Sequence, residues 1–274
     1  MARWKVILIA VVCVAAGAVI AVVLLRPEVQ KIDIDRNVSP DQLQPVPQVL
    51  TKLFPIEENE RYTVAAEYPE LDGVATPGVQ ERVNGSIRAG IYNRIAAFQA
   101  ANSANLPLGD LQLRSSFDAS FEVQLLANSF FSALMSYSDY SAGAAHPNDY
   151  LTALNYDLRT GDAVSIDRLL RSLSPSEGYM ERLGTRVQGD LVRQFGDSEE
   201  AFEVIKDGAA PTAANYAVYT LDREALTIHF APYQVAAYAA GSPEVRIPYN
   251  ELRESIIKPA ADAAATSTAA WWLE

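Results

Sequence analysis

One stretch constrains this chain more than any other. Val6 to Leu25 reads VILIAVVCVAAGAVIAVVLL and holds no charged side chain. As a helix, twenty apolar residues span about 30 Å, the thickness of a bilayer's hydrocarbon core. A helix in a soluble core is seldom apolar on every side. Arg3 and Lys5 precede the run and Arg26-Pro27 close it. The positive-inside rule then puts residues 1–5 in the cytoplasm and the rest outside. A cleaved signal peptide is the rival reading. Its core is usually shorter and ends in a small-x-small site, whereas this run ends in Leu24-Leu25-Arg26-Pro27. A lipoprotein would need small residues before its cysteine, and Val11-Val12-Cys13 lacks them. The expectation is one N-terminal transmembrane helix over 6–25, a single pass of a bacterial cytoplasmic membrane, with the body in the periplasm.

Charge separates the body from this run. All 34 acidic residues and 19 of the 22 basic ones follow residue 26, so that part nets −15. An acidic body argues against nucleic acid and anionic lipid headgroups as partners. Cys13 is the sole cysteine of the 274 residues, which excludes disulfides within the chain and Cys-ligated metal sites. Two histidines, His146 and His229, make a His-rich metal site an unattractive reading.

Residues 26–55 carry Pro27, Pro40, Pro45, Pro47 and Pro55 and read as a linker. The tail, 258–274, is rich in Ala, Thr and Ser and ends Trp271-Trp272-Leu273-Glu274; it reads as flexible, with a docking peptide as the sharper alternative. Between them, 56–257 alternates strand and helix signals. Tyr62, Val64, Ala66 and Tyr68 mark a strand. Val79, Val83, Ile87, Ile91, Ile95 and Phe98 recur at helical spacing, predicting a helix from Pro77 to Ala101. Phe117, Ala119, Phe121 and Val123 share one strand face; Phe130–Tyr140 and Leu151–Leu158 are further strands around a 143–149 turn. A short helix is expected over 167–172. Ser174-Pro175 reads as the capped start of a second long helix, with Tyr179, Leu183, Val187, Leu191 and Phe195 as its stripe. Short strands over 215–221, 225–230, 235–240 and 244–247 and a helix over 249–257 close the body. The class is α+β: two packed α+β halves, about 56–145 and 146–257, with mainly antiparallel sheets.

Catalytic patterns are absent from the sequence. It has no G-x-S-x-G elbow, no H-E-x-x-H pair and no Gly-rich phosphate loop, so neither cofactor nor metal is expected. His229, in LTIHF, reads as a strand residue and His146 as the holder of a turn. Thirteen tyrosines are more suggestive, several of them beside turns. A tyrosine offers a stiff contact surface with a polar tip, although bridging core and rim is an equal reading. Tyr140, His146, Asn148, Asp149 and Tyr238 are the candidate ligand-binding residues.

Two motifs resemble a known family. GAAHPNDYLTALNYDLRTGDAVSIDRLL (143–170) and APYQVAAYAAGSPEVRIPYNEL (231–252) are similar to the extracytoplasmic domain of RsiV-type anti-sigma factors, a domain shared with PdaC-type peptidoglycan deacetylases. YTVAAEYPEL (62–71) resembles its N-terminal part, so the likeness covers roughly 60–255. It implies an α+β extracytoplasmic domain, and the RsiV member is a lysozyme receptor. Two departures bear on function. Five residues before the apolar run leave no sigma-binding domain, and two isolated histidines leave no deacetylase metal site. The expected function is a membrane-anchored envelope binding protein, not itself an enzyme, whose partner is a lysozyme-like protein or peptidoglycan. The alternative is an envelope hydrolase with a site near His146.

Overall fold

The computed structural model describes residues 46–103, 114–173 and 177–257, together with two strands near the N-terminus, β1 (Ile9–Ala15) and β2 (Ala18–Leu24). The stub 1–5, the linker as far as residue 45, Ser174-Pro175 and the 258–274 tail with its Trp pair lie outside the described residues.

β1 and β2 pair antiparallel, with Ala15 opposite Ala18. The expected helix over 6–25 is thus replaced by a hairpin. Eight of the fourteen paired residues are Val or Ile, whose branching at Cβ favours extended backbone. Among the described residues no helix is long and apolar enough to cross a membrane. This hairpin belongs to a unit of its own, and residues 45–274 form a second.

The second unit is α+β and mainly antiparallel. Its main sheet has seven strands: β3 (Gln48–Leu53), β4 (Glu57–Glu58), β5 (Tyr62–Asp72), β6 (Ser115–Leu126), β7 (Phe130–Tyr140), β8 (Asn148–Asp157) and β9 (Asp162–Ala163). They lie in the order β3-β5-β6-β7-β8-β9, with β4 also on β5. Only the β5–β6 pairing is parallel. A parallel pair needs a crossover, and α1 (Pro77–Asn102) supplies it. Its stripe of Val79, Val83, Ile87, Ile91, Ile95 and Phe98 is buried against Val64, Phe117, Phe131 and Met135. β3 corrects the linker expectation: the sheet begins at Gln48. Pro47 and Pro55 stand just outside that strand, on the sheet's edge, where a missing N–H costs least.

The smaller layer follows β9. It comprises α2 (Ile166–Leu173), α3 (Tyr179–Phe195), α4 (Glu199–Gly208), and a three-stranded sheet of β10 (Tyr219–Leu221), β11 (Ala225–His229) and β12 (Glu244–Pro248). A closing helix, α5 (Tyr249–Glu251), runs on as a π turn over Leu252–Ile257. α3 starts at Tyr179, after Gly178 in the left-handed region (φ 79°), and not at Pro175. Residues 235–240 are turns with one 3₁₀ turn at Tyr238–Ala240 in place of the expected strand. α4 was not expected at all.

The division into halves at 145/146 is also corrected. β8 pairs along its length with β7, so it belongs to the first core; the second takes over at Val164. A β-bulge between Val123 and Leu125 reverses the faces of β6. Phe117 therefore packs on the α1 side, while Leu125 joins the second core. Val123 is exposed and Phe121 only partly buried, against the expectation that both face inward.

The two layers meet at a polar joint. β10 is the edge strand of the small sheet and lies against β7 and β8. Its unpaired backbone groups meet two buried side chains. The Leu221 N–H donates to Ser132 Oγ (2.9 Å), and Ser132 Oγ donates to Asn155 Oδ1 (2.7 Å). Asn155 Nδ2 donates to the Tyr219 carbonyl (2.6 Å). Nearby, the Tyr219 hydroxyl donates to the Val164 carbonyl (2.7 Å), and burial pushes that phenol's pKa up. Ser132→Ala strands both the Leu221 N–H and Asn155 Oδ1. We expect a loss of about 1–3 kcal/mol in urea unfolding; a loss near zero would show that the joint is unimportant.

His229 is buried in β11, with its Nε2 2.8 Å from Thr220 Oγ1 and its Nδ1 3.5 Å from Glu244 Oε2. Burial lowers its pKa to about 4, against a smaller opposing pull from Glu122. The Glu244 carboxylate is mostly in water, so it does not offset that burial. An unfolded imidazole takes up its proton near pH 6.5. Between those two values the unfolded chain binds more protons, so stability falls as pH drops from 6.5 to 4, by about 3 kcal/mol in all. His229→Gln should flatten urea-unfolding stability across that window relative to the unaltered chain. An unchanged slope would assign the acid sensitivity elsewhere.

Candidate functional site

The small layer covers only part of the main sheet's face opposite α1. The remainder forms the floor of a groove of about 980 Å³. Alternation along each strand decides what lines it. Phe117, Ala119 and Tyr137 turn toward α1, so their neighbours Asp118, Ser120, Ser136 and Ser138 turn to the groove. Register then aligns them across the strands. Ala65, Asp118, Ser138 and Asp149 form one row, and Ser120, Ser136 and Leu151 the next. Asp118 and Asp149 are two strands apart, about 10 Å at ordinary strand spacing. Glu67 adds a third carboxylate to the floor.

Two walls stand on this floor. Leu53, Phe54 and Ile56, where the chain leaves β3, form one. Phe54 is pinned edge-on to Tyr92 of α1, with ring centroids 5.2 Å apart. The other wall comes from the β11–β12 connection through Pro232, Tyr238 and Gly241. Gly241 has φ 71°, a conformation glycine adopts without the strain of a Cβ.

Asp149 ties floor to wall. Its Oδ1 accepts from Ser138 Oγ (2.7 Å) and its Oδ2 from the Tyr238 hydroxyl (2.8 Å). Donation to this carboxylate raises the Tyr238 pKa. His146 stacks on the Tyr238 ring at 4.3 Å and 27°. Its Nδ1 lies 2.8 Å from the Pro147 carbonyl and so carries the proton; its Nε2 faces the Tyr233 hydroxyl at 3.4 Å. Tyr233 also lies against Tyr238, with centroids 5.3 Å apart. It is 62% exposed and the one non-glycine residue with positive φ (70°) among the described residues. Such backbone is unfavourable for a side chain of this size.

Behind the floor, Tyr137 and Tyr150 stack at 5.0 Å, with the Arg94 guanidinium 4.6 and 5.0 Å from their centroids. Burial raises both phenols' pKa, and Arg94 partly opposes this.

Of the expected residues, Asp149 and Tyr238 share the groove and His146 supports it from behind Tyr238. Asn148 and Tyr140 do not line it. Asn148 donates to Asp139 Oδ1 (3.1 Å), and the Tyr140 hydroxyl accepts from the Gly143 N–H (3.3 Å). Glu67, Asp118 and Ser138 were missed. Their one signal in sequence is a polar residue at every second strand position, which any solvated sheet face shows. Among the described residues, no group of three or more His, Cys, Asp or Glu side chains is placed to hold a metal ion.

Residues 173–250 match the model of a family described as a protein of unknown function, DUF3298. That segment contains the Tyr233–Tyr238 wall but not the carboxylates of the floor. The fold is similar to that of a DUF3298 family member from Bacteroides fragilis, with TM-score 0.57 and 17% identity over 78% of this chain and 95% of that one. At that identity the likeness is one of fold. A DUF3298 family protein from Pseudomonas aeruginosa is 16% identical over 78% of this chain and 94% of its own, with TM-score 0.44. No curated protein matches the chain.

Proposed function

We propose that this chain is an envelope binding protein that captures a basic, wall-active protein of the lysozyme kind in the sheet-face groove. One observation carries the reading. The twenty residues lining the groove include three carboxylates and no Lys, Arg or His. A surface of one sign recruits the opposite sign and repels its own. Peptidoglycan carries carboxylates on its stem peptides, so the floor favours a cationic protein over the wall polymer. The resemblance of 60–255 to RsiV-type domains agrees with that choice. The apolar run at 6–25 suits attachment to the cytoplasmic membrane with the body on its outer side.

The geometry favours binding over hydrolysis. A Ser–His–Asp triad needs one imidazole nitrogen on the nucleophile and the other on the acid. Here Nδ1 of His146 serves the Pro147 carbonyl, and Ser138 donates directly to Asp149.

The test uses the full-length chain in neutral detergent and a basic lysozyme as probe. Capture should weaken with salt, chiefly through slower association. Glu67→Gln with Asp118→Asn, both at exposed positions, should weaken it at least tenfold and flatten its salt dependence, with little change in unfolding. Capture indifferent to both salt and these carboxylates would refute the proposal. So would a peptidoglycan fragment that is bound or cleaved while lysozyme is ignored.

A further inference from the structure

The acidic floor does not account for the whole groove. Its β3-side wall is apolar and open: Leu53 is 66% exposed and Ile56 80% exposed, and both line the groove. Leu53 stands in register beside Glu67, so an exposed aliphatic side chain and a carboxylate share one edge of the cleft. Large aliphatic side chains scattered singly on a surface need no explanation. Two of them at the mouth of a groove whose floor is carboxylate and hydroxyl are a different case. Nothing in the floor requires them. Leu53 ends β3 and Ile56 lies in the connection that follows it, and at these exposures both add little to the core.

Resting on the groove being the binding site, we infer that it selects a cationic amphipathic peptide segment, one in which basic side chains alternate with aliphatic ones. The basic residues would meet Glu67, Asp118 and Asp149. The aliphatic ones would cover Leu53 and Ile56. Charge complementarity fixes the first requirement, and the lip fixes the second. A purely polar polycation leaves the lip in water. An anionic or neutral apolar segment, or the acidic body of a second copy, in a chain of formal net charge −12, meets repulsion or no attraction at the floor. The lip and floor together therefore discriminate among basic partners, which charge alone does not.

Two pentapeptides with blocked ends serve as probes, Lys-Leu-Lys-Leu-Lys and Lys-Ser-Lys-Ser-Lys, equal in length and charge. Their affinities for the full-length chain are read by fluorescence anisotropy over a protein-free detergent blank. The leucine peptide should bind about tenfold more tightly, a difference of about 1.4 kcal/mol. Leu53→Ser with Ile56→Ser, both at exposed positions, should bring that ratio to about one and leave the serine peptide's affinity unchanged. Asp118→Asn with Asp149→Asn should weaken both peptides. Equal affinities for the unaltered chain, binding of neither peptide, or a leucine preference that survives the lip variant would overturn the inference. Failure to capture lysozyme with the leucine preference intact would overturn the earlier proposal alone and leave this one standing.

Discussion

The buried edge of β10 sets the architecture of the body. A strand edge carries unpaired N–H and C=O groups, and burying them without partners costs about 1–3 kcal/mol apiece. Ser132 and Asn155, facing the small layer from adjacent strands, supply those partners. They fix where the small layer sits on the main sheet, at the end where β7 begins and β8 finishes. The opposite end of the same face stays uncovered. The groove exists because the joint is at one end of the sheet, and the β11–β12 connection reaches back over the free end to wall it. Asp149 meets Tyr238 across 89 residues of sequence at that second contact.

Local signals were enough where one face of an element is buried along its whole length. Every member of the α1 stripe, from Val79 to Phe98, is buried. The strand at Tyr62–Asp72 alternates from Val64 to Tyr68, while Phe130–Tyr140 is buried on both faces at its start, where it serves both cores. Signals failed where two physical effects compete. β3 sits among prolines that argue for a linker, yet an edge strand tolerates prolines at its ends. α4 buries only Ile205 as an apolar anchor, too little for periodicity to register. Its true signal was its cap: the Ser198 side chain accepts from the Ala201 N–H (3.3 Å), and Glu199 and Glu200 face the positive end of the helix dipole. In β6 the bulge at Val123/Leu125 swaps the faces, which alternation alone does not reveal. The run at 6–25 is apolar enough for a helix and β-branched enough for strands, and its composition alone does not choose between them.

The site was legible in pieces. The 143–149 turn and Tyr238 stood out individually, and the acidity of the body was plain from its charge. Their convergence depends on strand register, which places Asp118, Ser138 and Asp149 in one row. Register is set by long-range pairing and by the bulge, neither of which is encoded locally. Asn148 and Tyr140 were drawn into the candidate set by proximity in sequence. Asn148 is the strand neighbour of Asp149 and so points to the other face, whereas Tyr140 shares the face of Ser138 two residues on but does not line the groove.

The central claim is that the uncovered half of the sheet face is where the partner docks. Hydrogen exchange on the full-length chain, with and without a basic lysozyme, tests it directly. The account predicts added protection over 65–67, 118–120, 136–138 and 149–151 and in the 231–242 connection, with the outer surface of α1 unchanged. Protection confined to α1 or α4, with the groove strands unaffected, would contradict it.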